Sequence, residues 1–268
     1  MTSVLERTRQ TLDGFDRQEI EINGITTVVY SAGTGQPVVY LHGSGTFTGF
    51  PFARQWTDDC RVIIPYHPGY GESGDDGRID SIQDHVLHYL DLFDALGLDR
   101  LSLIGASLGG WIAAEIALVQ PQRLRKLVLV APGGLVVREA PSTDLFTVPP
   151  DDLAGYLVAD PAILKPFLPD GHDLDFLTLR YRETTSSARL LWEQPGGNPK
   201  LRRWLHRITT DTLLLWGEAD RVRPLAQARI WLGLLPHARF EVIKGVGHLP
   251  LDEEPAAAGL VLDFLKTA

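Results

Sequence analysis

The sequence predicts an α/β fold, a mostly parallel sheet of eight strands with helices on both faces. Three observations lead to this prediction. Residues 19–22 and 25–31 are β-prone runs joined by Asn23-Gly24, a dipeptide that favours an antiparallel hairpin because both residues tolerate positive φ. Short apolar runs then alternate with segments of helical spacing, as in parallel strands joined by helices. One long interval has no β-prone run, which indicates a helical insertion.

Six apolar runs follow the hairpin, and each has the length of one strand. Their continuous apolar character predicts strands that are covered on both faces. A helix is expected over residues 82–96, where apolar residues recur at helical spacing, and a last helix from Glu254-Pro255, since proline suits a first turn. The six runs are PVVYL (37–41), RVIIPY (61–66), LSLI (101–104), KLVLV (126–130), TLLLW (212–216) and FEVI (240–243).

The interval between KLVLV and TLLLW breaks the alternation of strands and helices. Nine of the 18 prolines lie between Pro132 and Pro199. A plain loop of this length is uncommon in a compact domain. We therefore expect a core domain of residues 1–133 and 209–268 and a helical insertion of residues 134–208, placed over the carboxyl edge of the sheet.

The composition limits the partners of this 268-residue chain. Its 44% of hydrophobic and 22% of charged residues are ordinary for a soluble globular protein. The net charge of −9 and the lack of a basic stripe argue against nucleic acid. Residues 1–10 lack the apolar core of a signal peptide, and no apolar run approaches membrane-spanning length. We expect a cytoplasmic protein with a small-molecule substrate and no membrane partner, and the sequence leaves a homo-oligomer open. Cys60 is expected to be a small buried apolar residue.

Residues 101–120 combine a strand, a tight turn and a helix around one serine. The turn Gly105-Ala106-Ser107-Leu108-Gly109 has the G-x-S-x-G pattern of a nucleophile elbow. Glycine suits both flanks because a side chain there would clash in so tight a turn. The turn presents the serine hydroxyl at the N-terminus of a helix, where partial positive charge favours a developing oxyanion. The pattern predicts Ser107 as the catalytic nucleophile.

A serine nucleophile needs a base, and the base needs a carboxylate to orient it. With this motif the chain order is serine, acid, histidine. Asp220 follows the TLLLW run and His248 follows the FEVI run, so both lie where catalytic groups of open α/β sheets gather. They are predicted as the catalytic acid and base. Glu218 comes too early in its turn, and Asp211 precedes its strand and so belongs to the opposite edge.

Two backbone N–H groups are expected to bind the oxyanion. One belongs to Leu108, and the other to Ser44 in the loop after PVVYL, with Gly45 as the alternative donor. Arg182 and two neighbouring arginines of the insertion could bind a substrate carboxylate, although acids balance them locally. No metal or cofactor is expected. The candidates for contact with the substrate are Gly43, Gly45, Arg180, Arg189, Trp192 and Leu249.

Two further patterns predict no separate site. The glycines of residues 69–74 match a dinucleotide-binding pattern, but no helix starts at the third glycine and Asp75-Asp76 would repel a pyrophosphate. His85, His88 and Asp91 have a spacing that suits a metal, but they are expected on the solvated face of an amphipathic helix. His42 and His67 lie in turns and are expected to be structural.

The motifs LHGSG, HPGYGESG, IGASLGG, LLLWGEADRVRP and VIKGVGHLPLDEEP follow one another over nearly the whole chain. In this the chain resembles the α/β-hydrolase fold superfamily. The resemblance implies the α/β-hydrolase fold, a Ser107–Asp220–His248 triad and a cap domain formed by the insertion. The chain is similar to the meta-cleavage-product C–C bond hydrolases and to small bacterial carboxylesterases. The C–C hydrolases usually carry Asn before the nucleophile and Trp after the catalytic His, where this chain has Ala106 and Leu249.

These departures favour ester hydrolysis over C–C cleavage. The expected function is a serine hydrolase that cleaves small, mostly apolar carboxylic esters through an acyl-enzyme. One alternative is a C–C hydrolase of a 2-hydroxy-6-oxo-dienoate, which is favoured if an arginine of the insertion faces Ser107. The other is a non-catalytic ligand receptor on the same fold.

Overall fold

The computed structural model describes residues 3–169, 171–192 and 196–267 of the chain. Its strands are β1 (Asp16–Ile22), β2 (Ile25–Ala32), β3 (Gln36–Leu41), β4 (Cys60–Pro65), β5 (Leu101–Ala106), β6 (Leu124–Val130), β7 (Thr212–Gly217) and β8 (Ala238–Ile243). They form one sheet in the order β1-β2-β4-β3-β5-β6-β7-β8. The pairs β1–β2 and β2–β4 are antiparallel, and the remaining pairs are parallel. The predicted fold class is confirmed.

Eight α-helices connect or cover the strands within the described residues. They are α1 (Val4–Gln10), α2 (Ile82–Ala95), α3 (Leu108–Val119), α4 (Leu153–Leu157), α5 (Leu174–Leu191), α6 (Leu225–Leu234), α7 (Pro250–Glu253) and α8 (Pro255–Lys266). No helix in the described part of the chain combines the length and the apolar character that crossing a bilayer requires.

The sheet is buried between two apolar layers. Along β5 and β6, Leu103 and Leu127 belong to the layer that contains α2, α3 and α6, whereas Ile104 and Val128 belong to the layer that contains α8. Both faces of these strands are therefore covered, which explains why their sequences are apolar without alternation.

The first hairpin has the predicted turn. Asn23 and Gly24 have φ angles of 51° and 85°, and Ile22 pairs with Ile25 on the neighbouring strand. Cys60 begins β4 and is buried, as expected.

The chain between β6 and β7 folds into α4, α5 and short 3-10 turns. Several of its side chains line one cavity together with the carboxyl ends of the strands. The boundaries of a core domain at residues 1–133 and 209–268 and of a cap at residues 134–208 stay a prediction.

The expected solvated face of α2 is wrong for two of its three residues. His85 and His88 are buried, and only Asp91 is exposed. Each imidazole has one hydrogen-bonding partner: His85 Nδ1 lies 3.2 Å from the carbonyl oxygen of Ser81, and His88 Nε2 lies 2.9 Å from the hydroxyl of Thr27. His85 Nε2 is buried without a partner. Burial lowers the pKa of both imidazoles to about 4. No metal-binding cluster is found among the described residues.

Candidate active site

The turn between β5 and α3 holds its serine in a strained backbone conformation. Ser107 has φ 51° and ψ −111°, a conformation that side chains with a Cβ rarely adopt. The neighbouring chain overdetermines it: the Ser107 N–H donates to the carbonyl of Val130 (2.9 Å), and the Ser107 carbonyl accepts from the N–H of Gly133 (2.7 Å). Hydrogen bonds to β6 and to the residues after it therefore hold Ser107 in this strained conformation.

Glycine is required on both sides of the serine because backbone atoms of neighbouring segments lie close to Gly105 and Gly109. A Cβ at Gly105 would lie 2.3 Å from the carbonyl oxygen of Gly109, and one at Gly109 would lie 2.1 Å from that of Leu41. A side chain at Gly105 would force β5 away from α3, and one at Gly109 would force α3 away from the end of β3. The G-x-S-x-G spacing is thus a packing requirement of this elbow.

The three residues predicted as a triad lie together at the carboxyl edge of the sheet. His248 Nε2 is 3.0 Å from Ser107 Oγ, and His248 Nδ1 is 2.8 Å from Asp220 Oδ2. The His248 and Asp220 side chains are buried, with 2% and 0% of their surfaces exposed. Because Nδ1–H donates to the carboxylate, Nε2 is left as the acceptor for the serine proton.

The second oxygen of Asp220 is held by its own loop. Asp220 Oδ1 accepts from the backbone N–H groups of Val222 (2.8 Å) and Arg223 (2.7 Å). The two rejected acids lie elsewhere: Glu218 accepts from the N–H of Gly245 (3.1 Å), and Asp211 pairs with Lys126 (3.0 Å). Only Asp220, of these three acids, contacts the imidazole.

The predicted oxyanion donors flank the serine. Leu108 is the first residue of α3, so its N–H has no acceptor within the helix. Gly43, Ser44 and Gly45 line the same cavity as Ser107 and His248. A Cβ at Gly43 would lie 3.4 Å from Ser107 Cβ, which places this loop directly against the nucleophile.

Two buried histidines bond to the backbone of the oxyanion loop, which is the loop that contains Gly43, Ser44 and Gly45. His42 Nε2 accepts from the N–H of His67 (3.0 Å), so His42 Nδ1–H donates to the carbonyl of Gly43 (2.6 Å). His67 Nε2–H donates to the carbonyl of His42 (2.7 Å), and the hydroxyl of Tyr89 donates to His67 Nδ1. Burial lowers the pKa of His42 to about 3 and that of His67 well below its usual value. Both are neutral structural groups.

The insertion is bonded to the histidine loop at α4. The Leu157 carbonyl accepts from the N–H groups of His248 (2.9 Å) and Leu249 (3.1 Å). The Glu253 carboxylate accepts from the N–H groups of Gly247 (2.8 Å) and Ala159 (2.7 Å). These contacts connect the position of the His248 imidazole to the position of the insertion.

The cavity above Ser107 has a volume of about 1270 Å³ and a mostly apolar wall. Its wall includes Arg180 and Leu249, two of the sequence candidates. The Arg180 guanidinium stacks over Phe47 (5.1 Å to the ring centre) and pairs with Glu183 (3.1 Å). A Cβ at Gly45 would lie 2.8 Å from Arg180 Nη1, so this arginine reaches the oxyanion loop.

The other candidates of the insertion lie outside the cavity wall. Arg189 pairs with Asp75 (2.5 Å), and Arg182 donates to the carbonyl groups of Gly71 and Ser73. Trp192 is 71% exposed. The structure thus gives Arg189 and Trp192 no contact with the cavity above Ser107.

The glycine-rich turn at residues 69–74 is covered by α5. A Cβ at Gly69 would lie 2.3 Å from Ser186 Oγ, so glycine is needed there for helix packing. The next helix begins only at Ile82. The turn therefore lacks the helix N-terminus that a dinucleotide needs.

Arg223, Asp252 and Glu183 are among the residues near the cavity that were not predicted from the sequence. Arg223 and Asp252 lie on the cavity wall, and Glu183 is fully buried between α5 and the oxyanion loop. A charged residue at the end of a catalytic strand is a signal that could have singled out Arg223. Nothing in the local sequence indicates that Glu183 turns inward.

The sequence matches the model of a family described as the alpha/beta hydrolase family over residues 38–258. The chain belongs to the α/β hydrolase family. This membership agrees with the resemblance found in the sequence and with the observed sheet.

Known proteins with both leading chemistries are similar to this α/β hydrolase. It is 29% identical over 275 residues to the 2-hydroxy-6-oxo-6-phenylhexa-2,4-dienoate hydrolase of Burkholderia cepacia, covering 87% of this chain and 89% of that protein. It is 28% identical over 270 residues to the 2-hydroxy-6-oxo-2,4-heptadienoate hydrolase of Pseudomonas putida, covering 90% and 93%. A solved thermophilic esterase from Thermogutta terrifontis superposes with a TM-score of 0.71 at 21% identity over 94% of this chain and 98% of the esterase, which shows a shared fold.

Proposed function

We propose that this α/β hydrolase is a serine hydrolase that cleaves small, mostly apolar carboxylic esters through an acyl-enzyme. The observation that carries the proposal is the hydrogen-bonded series Ser107 Oγ, His248 Nε2, His248 Nδ1 and Asp220 Oδ2, with distances of 3.0 and 2.8 Å. A serine hydroxyl gains nucleophilicity from such a base, and the carboxylate stabilises the imidazolium that forms.

Each step has a residue that can perform it. His248 removes the proton of Ser107 as the hydroxyl oxygen attacks the acyl carbon. The N–H groups of Leu108 and Ser44 donate to the oxyanion. His248 then gives its proton to the leaving alcohol, and a water molecule activated by the same imidazole releases the acid.

A second candidate, C–C bond hydrolysis, is favoured by Arg180. This arginine of the insertion lines the cavity that contains Ser107, and the two relatives from Burkholderia cepacia and Pseudomonas putida are dienoate hydrolases. A dienoate carries a carboxylate that a guanidinium can bind. Against this reading, Glu183 already neutralises Arg180, and Ala106 and Leu249 supply no polar side chain beside the triad.

The deciding experiment compares kcat/KM for short p-nitrophenyl esters with kcat/KM for a 2-hydroxy-6-oxo-dienoate. We expect faster ester turnover by the wild type. Arg180→Ala is the informative variant, and Arg182→Ala and Arg189→Ala are its controls because their side chains contact other loops. A preference for the dienoate of more than about tenfold that only Arg180→Ala abolishes would establish the C–C hydrolase instead.

The third possibility, a receptor without catalysis, is tested by the same panel. A receptor would bind a ligand in the cavity and turn over neither substrate class. Covalent labelling of Ser107 by a phosphonate, together with measurable turnover, excludes it.

A further inference from the structure

Three arginines line the cavity above Ser107: Arg180, Arg138, which is exposed, and Arg223, whose guanidinium has no ion-pair partner among the described residues. Arg223 lies three residues after Asp220 and lines this cavity. Its backbone is fixed at both ends, since its N–H donates to Asp220 Oδ1 (2.7 Å) and its carbonyl accepts from Trp216 Nε1 (2.8 Å). These two hydrogen bonds fix the backbone from which the side chain extends.

The guanidinium lies close to the nucleophile elbow. A Cβ at Gly133 would be 3.1 Å from Arg223 Nη2 and 3.3 Å from the carbonyl oxygen of Ser107. The Nη2 group thus sits beside the residue that pins the elbow, on the side of the cavity nearest the catalytic acid.

The hydrogen-bond acceptor of the Arg223 side chain is neutral. Nη1 donates to Ser142 Oγ (2.5 Å), which also accepts from Gln227 Nε2 (3.0 Å). Nε is buried and has no hydrogen-bond acceptor. Among the residues that the structure describes, no carboxylate lies within 4.0 Å of this guanidinium.

Two arginines of the insertion differ from Arg223 in this respect. Arg180 pairs with Glu183 and Arg189 with Asp75. The catalytic carboxylate beside Arg223 is engaged by His248 and by two backbone N–H groups. Burial lowers the pKa of Arg223 to about 10, so the group remains charged at neutral pH.

A charge removed from water is stabilised by an opposite charge or by hydrogen bonds to all its polar atoms. The charge of Asp220 acts on Arg223, but among the described residues no carboxylate contacts the guanidinium, and Nε has no acceptor. The side chain borders a cavity that is otherwise mostly apolar. We infer that Arg223 is an anion site of this cavity and that the substrate carries a carboxylate, which the guanidinium binds within reach of Ser107. This inference rests on the proposed hydrolase function and names the class of ester, one with a free carboxylate in its acyl or its alcohol part.

Two pairs of matched esters test the site. Monoethyl glutarate and ethyl pentanoate differ by a carboxylate at the end of the acyl part, and 4-acetoxybutanoate and butyl acetate differ by one at the end of the alcohol part. The wild type should prefer the charged member of one pair by kcat/KM, measured as acid released. Arg223→Met should lose about tenfold or more on that ester and less than threefold on its neutral partner, and Arg223→Lys should lie between.

Arg221→Met is the matched control. Arg221 is in the same loop but is exposed, stacks on Tyr156 (4.4 Å) and is absent from the cavity wall. It should leave the charge preference of the wild type unchanged. An equal loss on both members of a pair in Arg223→Met would show a purely structural role and overturn the inference.

Binding of the products that retain the terminal carboxylate gives an answer that does not depend on turnover. Glutarate or 4-hydroxybutanoate should raise the Tm of the wild type, since a ligand of the folded state stabilises it. The same compound should raise the Tm of Arg223→Lys by less. If neither acid raises the Tm and neither charged ester is preferred, there is no anion site. If Ser107 resists phosphonate labelling and no ester is cleaved while an acid still binds at Arg223, the hydrolase proposal fails and the anion site stands.

Discussion

The carboxylate of Glu183 accepts hydrogen bonds from both the N–H (3.2 Å) and the hydroxyl (2.5 Å) of Thr46. Glu183 belongs to α5 of the insertion, and Thr46 belongs to the same loop as Gly43, Ser44 and Gly45. The same carboxylate accepts from the N–H of Gly71 (3.3 Å). A helix above the cavity thus holds the loop on which one oxyanion donor is predicted.

Glu183→Gln should lower kcat for a neutral ester by about tenfold and change KM little, because a shifted donor weakens transition-state binding more than substrate binding. A trifluoromethyl ketone that mimics the tetrahedral state should lose affinity in parallel with kcat. Thr185→Ala, at an exposed position of the same helix, serves as the control. An increase in KM alone would contradict this positioning role.

Ser107→Ala should reduce kcat by at least about three orders of magnitude, as losses of triad residues do in known serine hydrolases. The circular dichroism spectrum and the Tm should remain close to those of the wild type. Mass spectrometry of the wild type treated with a serine-directed phosphonate should find one adduct, on Ser107. An adduct on another residue would refute the assignment.

Asp220→Asn should fold and lose roughly 10³–10⁴ in kcat, because an amide no longer favours the required imidazole tautomer and its charged form. Glu218→Gln should lose far less, since Glu218 contacts the backbone of Gly245 and not His248. The two variants are measured on one ester at one pH. Reversed losses would move the catalytic acid to Glu218.

Asp252 should make the free energy of unfolding depend on pH. Burial, assisted by the charge of Glu253 and opposed by a hydrogen bond from Thr48, raises the pKa of this cavity-wall carboxyl to about 7. An acid whose pKa is raised by folding binds more protons in the folded state, so its contribution to stability falls as pH rises from about 4 to about 7. Urea unfolding of Asp252→Asn and wild type should therefore show a gap that widens in favour of the variant over this range. A constant gap between pH 4 and 8 would contradict the raised pKa.

The elbow and the edge of the sheet were predictable because their constraints are local. The glycines at 105 and 109 are dictated by backbone contacts within a few ångströms, and a strand end determines the edge at which Asp220 and His248 emerge. Parallel strands place all their carboxyl ends at one edge of the sheet. This allowed Asp220, which follows its strand, to be chosen over Asp211, which precedes it.

Directions of side chains on helices were predicted less well. His85 and His88 were assigned to solvent from their polarity, but both are buried, and each forms one hydrogen bond, to Ser81 and to Thr27. Glu183 is buried because Thr46 and Gly71 supply donors from distant parts of the chain. The partners of Glu183 lie 137 and 112 residues away in the chain, so no local sequence pattern indicates them.

The single carbonyl oxygen of Leu157, which accepts from the N–H groups of both His248 and Leu249, has a consequence for protein engineering. Amino-acid changes that move α4 should also move the His248 imidazole, because both are joined through Leu157. Directed evolution of α4 toward new substrates should therefore lower kcat. Leu177 and Tyr181 of α5 line the cavity and are 47% and 78% exposed. Libraries at these two positions can alter the fit of a substrate while leaving the catalytic backbone untouched.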